Sequence, residues 1–487
     1  MSAVAAGQPA DSRRMQQALV SQAATRFFAT FFAWLLPFFL IFGTSLTQKI
    51  PLQIHPIVFI SFGIVIWAWT VRGPMAIART PVDNFFLLWI VLAVASQIWA
   101  ETGLYRTLDE RDFTEYIKQI ITGWVIFRAA YGIGAVEPKV GTNAFLRSIV
   151  FFAGAACVLG LLQSKGPLQQ TALDFAQRFG WNPEQVLIGA TIESPRPVGM
   201  FSGPNFFAFI NLIASAIIVG ITLGTGKRMK EVHTFIATAA LGLFFAGSFV
   251  AQSRIALVMH GLLIIIFLYL LLKSGKGRAF LFAVVSMALT GLAMVAVKSD
   301  LDLKYLTSVF ETGLKNDESY LLRTEAIDAI SDLAPDLALL GAGGNRFSLI
   351  LIRTGDKFSA GNGPDNAFLQ GFLDHGVPGV LHIIYLLWGL YWGIRLLKTH
   401  GEPYLERTRY VGILVLFFLV LYSVSASRHQ KPETGAFIWF IFGPVWAMVK
   451  IQESHAKFLE KGGRVIVRRR RLRRRTKAAL PAESPAS

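Results

Sequence analysis

Apolar runs of about seventeen or more residues recur along this chain, and a run of that length lets a helix cross the hydrocarbon core of a bilayer. A mean hydropathy of +0.50 with only 16% charged residues is typical of integral membrane proteins and argues against a soluble multidomain protein. The sequence therefore predicts an all-α polytopic membrane protein with about twelve transmembrane helices. The predicted spans are residues 27–45, 55–71, 85–100, 118–135, 145–163, 205–224, 233–251, 255–272, 279–297, 377–396, 409–425 and 435–451.

Lysine and arginine fall on alternate connections between these spans, as the positive-inside rule requires of cytoplasmic loops. The basic set comprises the N-terminal tail, the connections 72–83, 136–147, 225–232, 273–278 and 397–409, and the C-terminal tail. The long or acidic connections, 101–117, 164–204 and 298–366, fall on the opposite side. Both termini are therefore predicted to be cytoplasmic. Lys118 and Arg128 interrupt the fourth span. It is kept because, without it, every later connection would change sides and the distribution of lysine and arginine would contradict the positive-inside rule.

The charged stretch 298–366 is the largest interruption of the apolar pattern, and we expect it to form one large extracytoplasmic loop. The predicted organisation is a cytoplasmic tail (1–26), nine spans (27–297), the loop (298–366), three spans (367–451) and a basic cytoplasmic tail (452–487). Residues 367–374 are expected to form a short re-entrant or interfacial turn before the tenth span. Because loops commonly carry function on a rigid scaffold, the 298–366 loop is the first place to seek a site.

The formal net charge of +17 falls mostly in the short connections and in the C-terminal tail. The tail holds Arg468–Arg471 and Arg473–Arg475, a like-charge run that cannot pack and is expected to stay solvated or to bind anionic lipids. This distribution gives little support to a nucleic-acid partner. The single cysteine, Cys157, lies inside an apolar span, where packing is its expected role.

Several arginines fall at the extracytoplasmic ends of the predicted spans, where the positive-inside rule makes arginine scarce. Arg254 occupies the short turn between the seventh and eighth spans, Arg196 precedes the sixth span, and Arg323 lies in the 298–366 loop. Arg428 and His429 follow the eleventh span. Guanidinium groups bind phosphate oxygens in a bidentate manner, so an outward cluster predicts a lipid-linked phosphate or diphosphate ligand. Taken singly, each arginine is more often a side chain that anchors a helix end.

Asp365 and Asn366 stand where the chain re-enters the membrane, and His375 follows. A partly desolvated carboxylate near arginines can take a proton from an attacking hydroxyl, so Asp365 and His375 are the candidate catalytic residues. A helix cap or an Asx turn explains Asp365 equally well, and packing or capping does so for His375. Asp300 and Asp302 have the spacing of some metal-binding carboxylate pairs, but this pattern is frequent by chance, and neither a metal ion nor another cofactor is predicted.

In order and spacing, these motifs resemble the O-antigen ligase and O-antigen polymerase superfamily of bacterial envelope glycosyltransferases, over roughly residues 195–395. The resemblance rests on four groups of residues: Arg196-Pro-Val-Gly199 with Asn205, Gln252-Ser253-Arg254, Arg323 with Gly341-Ala-Gly-Gly344 and Phe347, and Asp365-Asn366-Ala-Phe-Leu-Gln370 with Gly376-Val-Pro-Gly379.

The resemblance implies that Arg254 and Arg323 bind the diphosphate of a polyprenyl-linked saccharide. The family's proposed base is a histidine immediately before the asparagine of the re-entry motif, and this chain has Asp365 there, so the base is Asp365, or His375 or His429 supplied from elsewhere. The implied reaction is an inverting, metal-independent transfer of the saccharide to a saccharide or lipid-core acceptor, on the periplasmic face of the bacterial inner membrane. The absence of the histidine slightly favours a polymerase over a ligase.

Two other classes of function are compatible with the sequence. A transporter or flippase for a lipid-linked saccharide or an anionic solute would use the outward arginines to gate its substrate, although such carriers commonly have repeated halves and no convincing repeat is seen. An assembly or scaffold subunit would use the basic tail to bind partners.

Overall fold

A computed structural model describes residues 10–42, 55–102, 110–164, 167–178, 197–201, 203–225, 231–298, 327–328, 330–331, 334–344, 366–424 and 432–460. Within these residues every regular element is helical, so the predicted all-α class is confirmed. The helices of ten residues or more are α1 (Ala10–Phe42), α2 (Pro56–Arg72), α3 (Pro81–Thr102), α4 (Glu110–Val136), α5 (Pro138–Ser164), α6 (Gln169–Arg178), α7 (Pro204–Thr225), α8 (Glu231–Val250), α9 (Arg254–Lys273), α10 (Gly277–Lys298), α11 (Ala367–Leu396), α12 (Pro403–Ser423) and α13 (Pro432–Glu460).

Each predicted span falls on one of these helices. Across the described ranges, ten helices are long and apolar enough to cross a membrane. The other two predicted spans fall on α10, whose apolar part is the shorter helix Gly277–Leu292, and on α12. Helix α12 carries Glu406, Arg407 and Arg409 in its first turns, which leaves only its later part apolar. The polytopic membrane architecture is thus confirmed.

Proline begins six of the helices, namely α2, α3, α5, α7, α12 and α13. Proline has no amide hydrogen and its φ angle is fixed near the helical value, so it fits the first position of a helix, where the amide would have no intrahelical partner. The sequence therefore encodes where many of these helices start.

Residues 367–374, predicted to form a short turn, are helical and make up the first part of α11. Asn366 caps this helix, because its Oδ1 accepts hydrogen bonds from the amides of Phe368 at 2.9 Å and Leu369 at 3.1 Å. Gly376, with φ 67° and ψ −153°, interrupts the helix just before Pro378. Only glycine adopts such a conformation readily, so the kink between the two parts of α11 is built into the sequence.

Helices α4, α7 and α13 are mostly buried and form the centre of the bundle. Small residues let neighbouring helices approach closely. A Cβ atom added to Gly443 of α13 would lie 2.8 Å from the Cβ of Ala130 on α4, and one added to Gly220 of α7 would lie 2.7 Å from the Cα of Val411 on α12. Such contacts stabilise membrane helices, which gain no hydrophobic driving force from leaving lipid.

The two basic residues that interrupt the fourth span are both paired. Arg128 Nε lies 2.6 Å from Asp83 Oδ1 on α3, and both side chains are largely buried. Trp124 Nε1 donates to the same carboxylate oxygen at 3.0 Å. Lys118 Nζ lies 2.7 Å from Glu115 Oε1 near the start of the helix. Pairing lowers the cost of carrying these two cations in α4, which has the length and hydropathy of a membrane span.

Long-range hydrogen bonds show which helix ends meet. The starts of α7 and α9 lie beside the end of α12, where the Tyr422 hydroxyl donates to the Asn205 carbonyl at 3.2 Å. At the opposite end the Lys398 amide donates to Gln452 Oε1 at 3.0 Å. We call the first of these the Arg254 end. Helix α11 leads through a short connection into α12, so its start lies at the Arg254 end as well.

Candidate active site

Three of the candidate residues lie within the described chain: Arg254, Asn366 and His375. All three are at the Arg254 end of the bundle. The remaining candidates, Arg196, Arg323, Asp365, Arg428 and His429, lie outside the described residues, as do Asp300 and Asp302. Their roles therefore stay predictions from the sequence.

The turn before Arg254 is held by its own backbone. The Gln252 amide donates to the Phe249 carbonyl at 2.9 Å, and the Ser253 amide donates to the Ser248 carbonyl at 3.4 Å. Gln252 has a φ angle of 52°, a left-handed conformation that is uncommon for residues other than glycine. Residues in such conformations cluster at functional sites, where the surrounding structure holds them in place.

Side chains from two other helices close around this turn. The Tyr422 hydroxyl lies 3.5 Å from Ser253 Oγ, at the upper limit for a hydrogen bond. The Tyr422 ring packs against Phe209 of α7 with ring centroids 4.8 Å apart. Tyr422 and Ser253 are buried, while Arg254 is partly exposed. The helices therefore fix the backbone of Arg254 and leave the residue partly exposed.

The start of α9 is suited to an anion. Ser253 is the N-cap residue, but its side chain makes no capping hydrogen bond to the amides of the first turn. The amides at a helix start carry a partial positive charge. Arg254 occupies the first helical position, so its full charge adds to that of the amides.

The segment that follows Arg196 is anchored by Gln163, the last residue but one of α5. Gln163 Oε1 accepts hydrogen bonds from the amides of Val198 at 3.2 Å and Gly199 at 2.9 Å, and its Nε2 donates to the Gly199 carbonyl at 3.0 Å. Gly199 has a φ of 59°, and a Cβ atom there would lie 2.8 Å from the Ala156 carbonyl oxygen. Both the conformation and the lack of space require glycine at this position.

We expect Gln163→Leu to destabilise the protein, because it leaves the buried Val198 and Gly199 amides without an acceptor. An orphaned buried group costs about 1–3 kcal/mol. The measurement is the thermal midpoint of the detergent-solubilised protein, followed by size-exclusion chromatography after heating. Gln163→Glu keeps an acceptor for both amides, but it loses the donor to the Gly199 carbonyl and buries a carboxyl group, so it should lose stability as well. Equal midpoints for Gln163→Leu and the native protein would show that these hydrogen bonds contribute nothing.

His375 is buried, and both of its ring nitrogens have partners. Its Nδ1 lies 2.8 Å from Ser96 Oγ on α3, and its Nε2 lies 2.8 Å from the Tyr116 hydroxyl on α4. The side chain is 1% exposed. In this arrangement the imidazole ties α11 to α3 and α4, and a substrate hydroxyl would have to displace one of those partners to reach a ring nitrogen.

Asp374 belongs to the same cluster. Gln370 Nε2 donates to Asp374 Oδ1 at 2.9 Å, and the Tyr116 hydroxyl lies 3.5 Å from Asp374 Oδ2. Trp89 Nε1 of α3 donates to the Tyr116 oxygen at 2.8 Å. Burying a carboxylate and several polar groups in a membrane bundle is costly unless they are mutually hydrogen-bonded, which these are.

The Gly-Ala-Gly-Gly turn at 341–344 docks on this cluster. The Ala342 amide donates to the Leu373 carbonyl at 2.8 Å and the Gly343 amide to the Asp374 carbonyl at 3.0 Å. On the other side of the kink, the Val377 amide donates to the Ala338 carbonyl at 2.9 Å. Part of the predicted loop is therefore attached to α11 through the backbone atoms that the kink releases.

The sequence did not single out Tyr116, Trp89, Ser96, Gln163 or Tyr422. A signal was present for Gln163, because a glutamine within a predicted span needs a buried partner. The others look like ordinary residues of apolar helices.

In the described part of the chain, no three His, Cys, Asp or Glu side chains come together as a group that could hold a metal ion.

Comparison with known proteins places this site in a family context. Residues 238–384 match the family model described as O-Antigen ligase. No curated protein matches the chain. The matched stretch begins in α8 and ends within α11, so it contains Arg254, Asn366, His375 and the 341–344 turn. It supports a bacterial membrane glycosyltransferase of the O-antigen ligase or polymerase type, which acts on a lipid-linked saccharide and an acceptor. The O-antigen ligase and polymerase superfamily, which the sequence motifs predict, is thereby confirmed as the family that this chain resembles.

Proposed function

We propose that this protein transfers a saccharide from polyprenyl diphosphate to a hydroxyl of a saccharide acceptor, at the Arg254 end of the bundle, on the periplasmic face of the bacterial inner membrane. The observation that carries the proposal is Arg254 itself. It lies in the region matched to the O-antigen ligase family model, and it stands at the start of α9, where the Ser253 side chain makes no capping hydrogen bond and the helix dipole and the guanidinium both contribute positive charge.

In this reaction, the acceptor oxygen attacks the anomeric carbon of the donor sugar and forms the new glycosidic bond. The bond from that carbon to the diphosphate oxygen breaks, and the configuration inverts. The acceptor proton passes to a base, and polyprenyl diphosphate leaves with the bonding electron pair. Arg254, with Arg323 and Arg196, stabilises the negative charge that develops on the leaving group, so the arginines supply what a metal ion supplies elsewhere.

We assign Asp365 as the base. It holds the position of the family's histidine, directly before the Asn366 cap of α11. The alternative His375 is buried with both ring nitrogens hydrogen-bonded, which favours a structural role for it. His429 remains the second alternative. Asn366, whose side chain caps the helix, contributes by fixing the direction in which the chain leaves the membrane.

The identity of the acceptor distinguishes the two activities of the family, polymerase and ligase. A polymerase extends a growing chain of the same saccharide, whereas a ligase transfers a finished chain to a lipid core. We favour the polymerase slightly, because Asp365 replaces the histidine.

The basic C-terminal tail is proposed to bind anionic lipids of the cytoplasmic leaflet.

Analysis of envelope polysaccharide from a deletion strain tests this proposal. Loss of a polymerase should leave single repeats attached to the lipid core, and loss of a ligase should leave long chains attached to the polyprenyl carrier. Purified protein in liposomes, given donor already on the outer face, should form product without any transport step. Failure to form product there, with transport of donor across the bilayer, would support the flippase instead.

A scaffold role is tested by truncation. Removing the residues after Lys461 deletes most of the basic tail and should leave product formation intact. Loss of product, with the protein still in the membrane, would point to a tail-bound partner.

A further inference from the structure

The Tyr116 hydroxyl lies at a junction between α3, α4 and α11. Trp89 Nε1 is only a donor, so at 2.8 Å it donates to the Tyr116 oxygen. The single hydroxyl proton is then directed at His375 Nε2, at 2.8 Å, rather than at Asp374 Oδ2, at 3.5 Å. With Nε2 as the acceptor, the one ring proton of the neutral imidazole is on Nδ1, which then donates to Ser96 Oγ at 2.8 Å. One hydroxyl thus orients an indole and an imidazole.

The first part of α11 connects this junction to the re-entry motif. Asn366, Gln370 and Asp374 recur every four residues and so share one face of the helix. The Asn366 carbonyl accepts from the Gln370 amide at 2.8 Å, and the Gln370 side chain donates to Asp374 at 2.9 Å. The cap at the helix start and the cluster at the kink therefore lie two helical turns apart on one helix, with Gln370 between them.

The same tyrosine also contacts the docked turn. A Cβ atom at Gly344 would overlap the Tyr116 ring, so the turn reaches that ring only because residue 344 is glycine. The Gly343 amide donates to the carbonyl of Asp374, whose carboxylate faces the Tyr116 hydroxyl. The Tyr116 ring therefore packs against the 341–344 turn, while its hydroxyl contacts α11.

We propose that Tyr116 is a positioning residue that fixes the first part of α11, and with it the Asn366 cap, against the 341–344 turn. This inference rests on the proposed function, in which Asp365 is the base. Tyr116 is buried, so it acts through α11. Its hydroxyl holds His375, and through it the first part of α11, in place. Small misplacements of a reacting group reduce rates strongly.

Tyr116→Phe tests the inference, with Tyr131→Phe as the matched control. Tyr131 lies on the same helix, is also buried, and donates its hydroxyl to the Met75 carbonyl at 3.1 Å near the opposite end of the bundle. The assay uses full-length protein in liposomes, with lipid-linked saccharide extracted from deletion cells as donor. We expect Tyr116→Phe to lower kcat about 10- to 100-fold with the KM for donor within about two-fold, and Tyr131→Phe to change both by less than about two-fold.

Hydrogen exchange supplies a readout that does not depend on activity. The Ala342 and Gly343 amides, which donate to α11, should exchange at least about ten-fold faster in Tyr116→Phe than in the native protein or in Tyr131→Phe. Ser96→Ala removes the partner on the other side of His375 and should lower kcat in the same way, by a smaller factor. It replaces Tyr116→Phe as the test if that variant does not fold.

Native kcat together with native exchange in Tyr116→Phe would overturn the inference. So would an equal loss in Tyr131→Phe, because that would indicate general destabilisation. A native protein that forms no product would refute the proposed function alone, and the exchange comparison would still decide whether Tyr116 positions the turn.

Discussion

Replacing Arg254 with alanine is expected to reduce product formation about 100- to 1,000-fold while leaving the protein in the membrane. This is the loss measured when one fixed donor to a developing negative charge is removed from an enzyme. The side chain stands at the start of α9 on a backbone held by Ser248, Phe249 and Tyr422, and these contacts do not involve the guanidinium group that the substitution removes. The measurement is saccharide transfer by membranes that contain equal amounts of each variant.

Two further variants separate charge from geometry. Arg254→Lys keeps the positive charge but loses the planar pair of donors, so its activity should fall between those of the native protein and Arg254→Ala. Arg395→Ala removes an exposed arginine near the C-terminal end of α11, where the guanidinium lies 5.5 Å from the centroid of the Trp392 ring. It should retain native activity. Full activity in Arg254→Ala would exclude Arg254 from diphosphate binding.

Replacing Arg128 with methionine is expected to destabilise the bundle by about 3–5 kcal/mol, because it leaves a buried carboxylate without its cation. Asp83 keeps hydrogen bonds from Thr80 Oγ1 at 2.7 Å and Trp124 Nε1 at 3.0 Å, but these donors do not neutralise its charge. Arg128 also donates to the Ala78 carbonyl at 3.0 Å, and that bond is lost too. The thermal midpoint in detergent measures the effect.

The double variant Asp83→Leu with Arg128→Met removes both charges and should recover much of the lost stability, since a buried pair often contributes little beyond an apolar replacement. Lys450→Met is the comparison at a more exposed pair, where Lys450 Nζ lies 2.9 Å from Glu453 Oε2. Its cost should stay below about 1 kcal/mol. A midpoint for Arg128→Met no lower than that for Lys450→Met would contradict a stabilising role for the buried pair.

Much of the architecture was predictable because hydropathy and helix starts are local properties. A helix satisfies its own backbone hydrogen bonds, so an apolar run of sufficient length specifies a membrane span whatever its neighbours are. The position of Arg254 at a helix start followed in the same way, from two apolar runs separated by Gln252 and Ser253. The break before the tenth predicted span was also visible, although the structure places it at Gly376 inside α11.

The sequence by itself thus determined the membrane class, the location of the helices and the family resemblance, because each depends on runs or motifs of nearby residues. Only the tertiary structure decided that Gln163 anchors Gly199, that Tyr422 reaches Ser253, and that Tyr116 joins His375 across a separation of 259 residues. An apolar helix presents similar side chains to lipid and to protein, so its sequence carries little information about which helix it will face. The partners of a buried hydroxyl are therefore fixed by helix packing.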